Sequence, residues 1–123
     1  MKKALVLNYI KTNNLIGIKA GLQRQTFLDI WMVIVNNRIF ARSWGLSDKS
    51  WYNSFLQDST GQLKCGDTIF NIKAIVPANK NNLTSEINNA YLKKYNTGHN
   101  IPYAKGIIEP KHVEKTLEFI IEE

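Results

Sequence analysis

The chain has 123 residues, of which 44% are hydrophobic, so it holds enough apolar side chains for the core of one domain over residues 1–123. No apolar run approaches the roughly 20 residues that cross a bilayer, and the single cysteine cannot form an internal disulfide. Asn8 and Lys11 interrupt the N-terminal apolar stretch before it reaches the length of a secretory leader. These features argue against a membrane-spanning or disulfide-rich protein, and we expect a cytoplasmic one.

The net charge of +6 is unevenly distributed along the chain. Residues 1–108 carry 14 Lys or Arg against 5 Asp or Glu, whereas the last 15 residues carry 2 against 5. A basic body attracts anions, such as a phosphate-bearing cofactor or substrate, or a nucleic acid backbone. The alternative is that scattered lysines serve only to keep the domain in solution.

The first part of the chain predicts a helix followed by strands. Residues 2–13, in the N-terminal segment 1–14, have the propensity of a helix, and residues 17–21 begin a first short strand. Residues 27–35 are apolar on both alternating faces. This pattern predicts a strand that is buried on both sides, either in the centre of a sheet or in a closed barrel.

Two tight turns predict two hairpins. Asn36-Asn37 tolerates left-handed backbone conformations, so residues 38–44 should return as the partner of the preceding strand. Gly66-Asp67 lies between residues 63–65 and 68–76, where apolar and polar side chains alternate. Each hairpin therefore presents at least one buried face.

Helices are predicted after each hairpin, and the last element is predicted to be a strand. Ser47 is the expected cap of a short helix that ends near Gln57, and Thr84 is the expected cap of a longer helix. The apolar stripe of the longer helix consists of Leu83, Ile87, Tyr91 and Tyr95. Residues 116–121 favour a closing strand over a helix. Together these elements predict an α+β protein built as an antiparallel split β-barrel with short flanking helices.

Metal, nucleophile and dinucleotide sites are poorly supported. His99 and His112 have no carboxylates at ligand spacing, so we interpret both as surface residues and expect no metal. Cys65 precedes a hairpin turn and is interpreted as a small core residue. The dispersed glycines match no phosphate-binding loop.

The strongest candidate site spans the end of one strand and the start of the next helix. Its residues are Arg42, Ser43, Trp44, Lys49, Ser50, Trp51 and Tyr52. Hydroxyls and cations beside the first turn of a helix are suited to a phosphate, and the aromatic side chains are suited to stacking on a flat ring. The alternative is that a serine caps the helix, Lys49 is solvated and the aromatic residues seal the end of the barrel.

A second candidate site lies in the run AYLKKY, where Tyr91 and Tyr95 are four residues apart on a helix next to Lys94. Side chains four residues apart on a helix share one face. The alternative is core packing, with lysine stems lying along the apolar surface.

Several motifs resemble those of a family of small bacterial proteins of unknown function. They are Ile30-Trp31, Phe40-x-Arg42-Ser43, Ser50-Trp51-Tyr52 and Ala90-Tyr91-x-x-Lys94-Tyr95. The resemblance covers residues 22–121. This family looks like a branch of the FMN-binding split-barrel superfamily, which includes pyridoxamine phosphate oxidase and the deazaflavin-dependent nitroreductases.

The resemblance implies a homodimer that binds FMN or a related flavin or deazaflavin at the subunit interface. It implies that Arg42 and Lys49 hold the cofactor phosphate, while Trp44, Trp51 and Tyr52 shape the ring pocket, and it suggests an oxidoreductase. The oxidases carry a further basic pair on an earlier strand, where this chain offers Arg24.

Two other functions stay open. A non-enzymatic module that binds single-stranded nucleic acid or a protein would use the basic body and exposed aromatic side chains. A structural or regulatory dimer without a ligand would bury Trp44 and Trp51 completely.

Overall fold

A computed structural model describes residues 2–21 and 25–123. Arg24 and the first residues of the stretch 22–121 that resembles the bacterial family therefore lie outside the described residues. The strands are β1 Ile16–Ala20, β2 Leu28–Ile30, β3 Val33–Val35, β4 Arg38–Arg42, β5 Thr60–Cys65, β6 Thr68–Ile75 and β7 Thr116–Ile121. The α-helices are α1 Lys2–Thr12, α2 Trp51–Gln57, α3 Lys80–Tyr95, α4 Ile101–Ile107 and α5 Pro110–Val113, with a 3₁₀ turn at Gly98–Asn100.

The seven strands form one sheet in the order β2-β1-β5-β6-β7-β4-β3, and every neighbouring pair is antiparallel. The sheet curls into a half-barrel, with several short helices around it. This architecture confirms the predicted α+β split barrel. The terminal strand β7 is also confirmed, and it lies inside the sheet between β6 and β4.

The prediction of one continuous buried strand over residues 27–35 is wrong. The segment breaks at Trp31-Met32 into β2 and β3, which form the two edges of the sheet. The Met32 backbone pairs with side chains of α3, because its N–H donates to the Tyr95 hydroxyl at 3.1 Å and its carbonyl accepts from Lys94 Nζ at 2.8 Å. These contacts take Met32 out of the strand ladder, and Leu28 and Asp29 are exposed.

Both predicted hairpins are confirmed. Asn36 and Asn37 have φ angles of 54° and 61°, the left-handed conformation that joins β3 to β4. Gly66, with φ of 64°, joins β5 to β6. In β6 the alternation is observed as predicted, with Phe70, Ile72 and Ala74 buried and the side chains between them exposed.

The longer helix begins earlier than predicted. Its N-cap is Asn79, and the Asn79 carbonyl accepts the N–H groups of Asn82 and Leu83. Thr84, the predicted cap, lies inside the helix, where its hydroxyl donates to the Lys80 carbonyl at 3.2 Å. Leu83 lies in the helix and packs in the second core with Ile87 and Tyr91.

Apolar side chains pack on both faces of the sheet. The inner face forms the larger core, to which α1 contributes Val6 and Ile10, and α2 contributes Trp51, Tyr52 and Phe55. Cys65 is buried in this core, as predicted, and burial raises the pKa of its thiol to about 11. A second core lies outside β3 and β4, under α3 and α4. It contains Val33, Val35, Phe40, Leu83, Ile87, Tyr91, Tyr95, Ala104 and Ile107.

The segment between α3 and β7 forms two short helices that the periodicity of the sequence does not predict. A proline lies in the first turn of each, Pro102 in α4 and Pro110 in α5. Over the described ranges, no helix combines the length and apolar character needed to cross a membrane. The acidic end of the chain packs against the basic body, because the buried Glu118 accepts two hydrogen bonds from Arg38 at 2.8 and 3.0 Å.

Candidate functional site

A cleft of about 530 Å³ lies between the β2 edge of the sheet, the segment from β4 to α2, and helix α4. All three tryptophans of the chain line it, namely Trp31, Trp44 and Trp51, and Tyr103 joins them from α4. A concave surface of this size with aromatic walls is typical of small-molecule sites.

The structure brings six of the seven predicted site residues to this cleft. Arg42, Ser43, Trp44, Lys49, Ser50 and Trp51 line it. Tyr52 is not among the lining residues, because its side chain packs into the inner core and its hydroxyl donates to the Glu114 carbonyl at 3.4 Å. The Lys115 ammonium lies 5.1 Å from the centre of the Tyr52 ring.

The Arg42 side chain is buried, with 4% of the residue exposed. Its guanidinium donates to four neutral oxygens, which are Thr116 Oγ1, Asn88 Oδ1, and the carbonyls of Ile107 and Thr84. No carboxylate of residues 2–21 or 25–123 forms an ion pair with it. Burial lowers the pKa of Arg42 from its ordinary value. The cleft wall therefore carries a positive charge that no carboxylate of the described residues pairs with.

The cap of α2 is Ser50, not Ser47 as predicted. Ser50 Oγ accepts the Asn53 N–H at 3.5 Å, whereas Ser47 Oγ accepts the Lys49 N–H within the preceding turn. Ser43 Oγ donates to the Gly45 carbonyl at 2.6 Å. The three serine hydroxyls at the cleft thus each have an internal partner, and the Ser50 hydroxyl, which accepts in that bond, can also donate its own proton.

His112 is buried, with 3% exposed, which corrects its interpretation as a surface residue. Its Nδ1 lies 3.0 Å from the Ser43 carbonyl, and because a carbonyl only accepts, Nδ1 carries the hydrogen. Trp44 stacks on the His112 ring with centroids 4.6 Å apart and planes inclined by 10°. Trp44 is nevertheless 49% exposed, whereas Trp51 is 7% exposed, so complete burial of both tryptophans is not observed.

Charges of opposite sign lie on opposite walls of the cleft. Lys49 is exposed on the segment before α2, on the same wall as Arg42, while Asp29 lies on the β2 wall. Asp48, which the sequence places beside the basic residues, does not line the cleft. Elsewhere in the described chain, no three His, Cys, Asp or Glu side chains come close enough together for a metal ion.

The second candidate site, Tyr91, Lys94 and Tyr95, binds backbone groups. The Tyr91 hydroxyl accepts the Arg42 N–H at 2.8 Å. The Tyr95 hydroxyl donates to the Asn14 carbonyl at 2.6 Å, and its ring stacks on Trp31 with centroids 4.1 Å apart. These contacts fix the backbone of two cleft-lining segments, so both tyrosines support the cleft from behind.

The buried tyrosines predict a loss of stability at alkaline pH. Burial raises the pKa of Tyr91 to about 12 and also raises that of Tyr95, whereas unfolded tyrosine ionises near pH 10. The folded state therefore holds more protons above about pH 10, and the free energy of unfolding should fall as pH rises toward 12. The slope is at most about 1.4 kcal/mol per pH unit for each group.

Urea unfolding at several pH values between 9 and 11.5 checks this prediction. We expect Tyr91→Phe to be less stable at pH 7, because the Arg42 N–H loses its acceptor, but to show a shallower alkaline loss. The matched control is Tyr103→Phe on the exposed Tyr103. An alkaline slope that is identical in the wild type and in Tyr91→Phe would contradict the prediction.

Three cleft-lining residues with charged or aromatic side chains, and one residue that supports the cleft, were not predicted from the sequence. Asp29, Trp31 and Tyr103 line the cleft, and His112 supports Trp44. They come from elements far from residues 42–52 in the chain, so local spacing could not connect them. The only indication in the sequence was Trp31, which belongs to one of the motifs of the resemblance.

The fold and the cleft define a small α+β half-barrel protein with an aromatic, positively charged cleft. A family model described as "Uncharacterized protein conserved in bacteria (DUF2255)" matches residues 9–119. The chain therefore belongs to this bacterial family. No curated protein matches it.

Among solved structures, the chain is similar to a conserved hypothetical protein, Rv2991, from Mycobacterium tuberculosis, known from a crystal structure. The TM-score is 0.58, and the match covers 100% of this chain and 82% of the other. The two sequences are 12% identical, so the similarity concerns the fold alone.

Proposed function

We propose that the cleft binds a planar aromatic ligand that carries a phosphate or a similar anion, and that FMN or a related flavin or deazaflavin is the class that fits best. The observation that carries this proposal is the convergence of all three tryptophans on one cleft of about 530 Å³. Tryptophan offers a large flat surface for stacking on a conjugated ring. Core packing accounts for Trp51, which is buried, but not for Trp44, which is half exposed.

The charges of the cleft support an anionic ligand. Most N–H groups of Arg42 already have acceptors inside the protein, so its contribution is a fixed positive potential behind the wall. Lys49 is exposed and, within the described chain, has no ion-pair partner, so its ammonium can contact a phosphate directly. The Ser50 hydroxyl can donate a further hydrogen bond.

The proposal includes a homodimer that is paired across the mouth of the cleft. Leu15, Leu28 and Tyr103 line the cleft and are 50 to 54% exposed, which makes an apolar rim beside the aromatic walls. A second copy would cover this rim and exclude water from the ring. A bound flavin would supply redox chemistry, while the residues of this chain would bind it, orient it and shield it from water.

An absorption spectrum of the purified protein, with mass spectrometry of whatever denaturation releases, tests the proposal directly. If the purified protein is colourless, titration with FMN should quench its tryptophan fluorescence to saturation. We expect Lys49→Gln to weaken FMN binding about tenfold, because a charge-assisted hydrogen bond to phosphate is lost. Lys73→Gln is the matched control, because it removes the same charge from an exposed lysine on β6. Sedimentation of both variants reports the oligomeric state.

Other results would favour the alternatives. Salt-dependent binding of single-stranded oligonucleotides, without any response to FMN or deazaflavin, would support a nucleic-acid-binding module. Equal FMN affinities of Lys49→Gln and Lys73→Gln would contradict the proposed phosphate position. A protein that is indifferent to both ligand classes would overturn the proposal in favour of a structural or protein-binding role.

A further inference from the structure

A second concavity of about 380 Å³ lies where the end of α1 meets β3 and α3, and it shares no lining residue with the aromatic cleft. We call it the lysine groove. Four apolar residues line it, which are Ile10, Val33, Ile34 and Ala90. A groove of this size and composition is large enough for the hydrocarbon part of a small ligand.

The remaining lining residues of the lysine groove are all cations. Lys11 comes from the end of α1, and Lys93 and Lys94 come from the last turn of α3. No acidic side chain of the described chain lines the groove. An apolar surface bordered only by positive charge is complementary to a molecule with an apolar body and an anionic group.

Lys94 is held in a fixed position at the lysine groove. Its ammonium donates to the Ile10 carbonyl at 2.6 Å and to the Met32 carbonyl at 2.8 Å. An ammonium has three N–H groups, so one is left after these two bonds. The Tyr95 ring, with its centre 4.9 Å from Nζ, contributes a weak cation–π contact.

The charge of Lys94 is not neutralised inside the protein. Both hydrogen-bond acceptors are neutral carbonyls, and no carboxylate of residues 2–21 or 25–123 forms an ion pair with the ammonium. Burial lowers the pKa of Lys94 to about 8, which shows that the partly buried charge is destabilised. An anion in the groove would stabilise that charge.

We propose that the lysine groove binds a monocarboxylic acid with a compact apolar body, with the carboxylate at Lys94 and the hydrocarbon on the apolar floor. A monoanion matches the single partly buried cation, whereas a dianion would bring a second charge against the apolar floor. The exposed Lys11 and Lys93 assist by raising the local anion concentration. This inference is independent of the ligand of the aromatic cleft.

Titration calorimetry with octanoate tests the proposal. Octanol, which lacks the charge, and acetate, which lacks the hydrocarbon tail, are the two controls. We expect saturable octanoate binding, at least tenfold weaker binding of either control, and weakening at high salt. Lys93→Gln and Lys11→Gln should each weaken octanoate binding about threefold, and Lys94→Met more than tenfold. Lys105→Gln, on an exposed lysine outside the groove, should have no effect.

A second readout distinguishes binding at Lys94 from a merely structural role of that lysine. At pH 8 the bound carboxylate should raise the pKa of Lys94, so binding should take up a fraction of a proton. This proton uptake makes the measured heat of octanoate binding depend on the ionisation enthalpy of the buffer. The dependence on the buffer should vanish in Lys94→Met. Equal binding of octanol and octanoate, no saturable binding, or equal effects of Lys93→Gln and Lys105→Gln would each overturn the proposal.

Discussion

Replacement of Arg42 by alanine should lower the free energy of unfolding by about 3 kcal/mol. The substitution removes the donor of four oxygens, namely Thr116 Oγ1, Asn88 Oδ1 and the carbonyls of Ile107 and Thr84. Acceptors that are buried without a donor lose their hydrogen bonds to both protein and water, and the space of the side chain becomes a cavity. Part of this cost is offset because a buried charge disappears.

Urea unfolding at pH 7 measures the effect of Arg42→Ala, and two variants serve as its controls. Arg42→Lys keeps a charge but cannot reach the same set of acceptors, so we expect an intermediate loss of about 2 kcal/mol. Lys49→Ala, on the same cleft wall but exposed, should change stability by less than about 0.5 kcal/mol. If Arg42→Ala were as stable as Lys49→Ala, the guanidinium contacts would not contribute to the fold. Because Arg42 variants are expected to be unstable, Lys49 is the better probe of ligand binding.

Replacement of Gly61 by alanine should lower the free energy of unfolding by about 2–3 kcal/mol. Gly61 lies in β5, between β1 and β6, where a Cβ atom would lie 2.5 Å from the Lys19 carbonyl oxygen and 2.6 Å from Phe55 Cε1. The first neighbour is backbone inside the sheet and the second is a buried ring, so neither can move without disturbing the core.

Gly45→Ala is the matched control for Gly61→Ala. A Cβ at position 45 meets only Ser50 Cβ at 3.9 Å, which is an ordinary contact. We expect Gly45→Ala to leave stability within about 0.5 kcal/mol of the wild type. Thermal and urea unfolding of both variants measure these differences in stability. A Gly61→Ala protein with wild-type stability would contradict the packing described at β5.

Local chemistry made much of the fold predictable from the sequence. Asn36-Asn37 and Gly66-Asp67 specify tight turns through their backbone conformations, so both hairpins follow from neighbouring residues alone. The apolar stripe of α3 follows from its spacing of four residues. The terminal strand β7 follows from β-branched and aromatic side chains. Six strands were predicted where the structure has seven, because residues 27–35 form the two strands β2 and β3.

The errors arise where distant residues decide the structure. The break at Met32 depends on Tyr95 and Lys94, more than 60 positions further along the chain, and nothing local in residues 27–35 indicates it. The burial of His112 depends on the Ser43 carbonyl and on Trp44 in the same way. The start of α3 is different, because residues close in the chain decide it: Asn79 caps the helix, and its carbonyl accepts the N–H groups of Asn82 and Leu83.

The candidate site was partly predictable because most of its residues are close in the chain. Residues 42–51 run from the last residue of β4 to the first residue of α2, and six of the predicted site residues in this stretch line the cleft together. Tyr52 packs in the inner core without lining the cleft, whereas the neighbouring Trp51 packs in that core and also lines the cleft. The opposite wall, from Asp29 to Trp31, depends on the curl of the sheet and on the stacking of Trp31 on Tyr95, which residues close in the chain do not indicate.

The placement of β2 and β3 also affects the behaviour of the protein at high concentration. These two edge strands have three residues each, and they are the two halves of one short segment that bends between them. Unpaired edge strands are the usual templates for intermolecular strand addition, which leads to aggregation. Here the longer strands lie inside the sheet, so an incoming chain would find too few adjacent backbone groups to start a ladder. The shortness of both edge strands thus limits edge-to-edge association, and the exposed Asp29 adds a charge to the β2 edge.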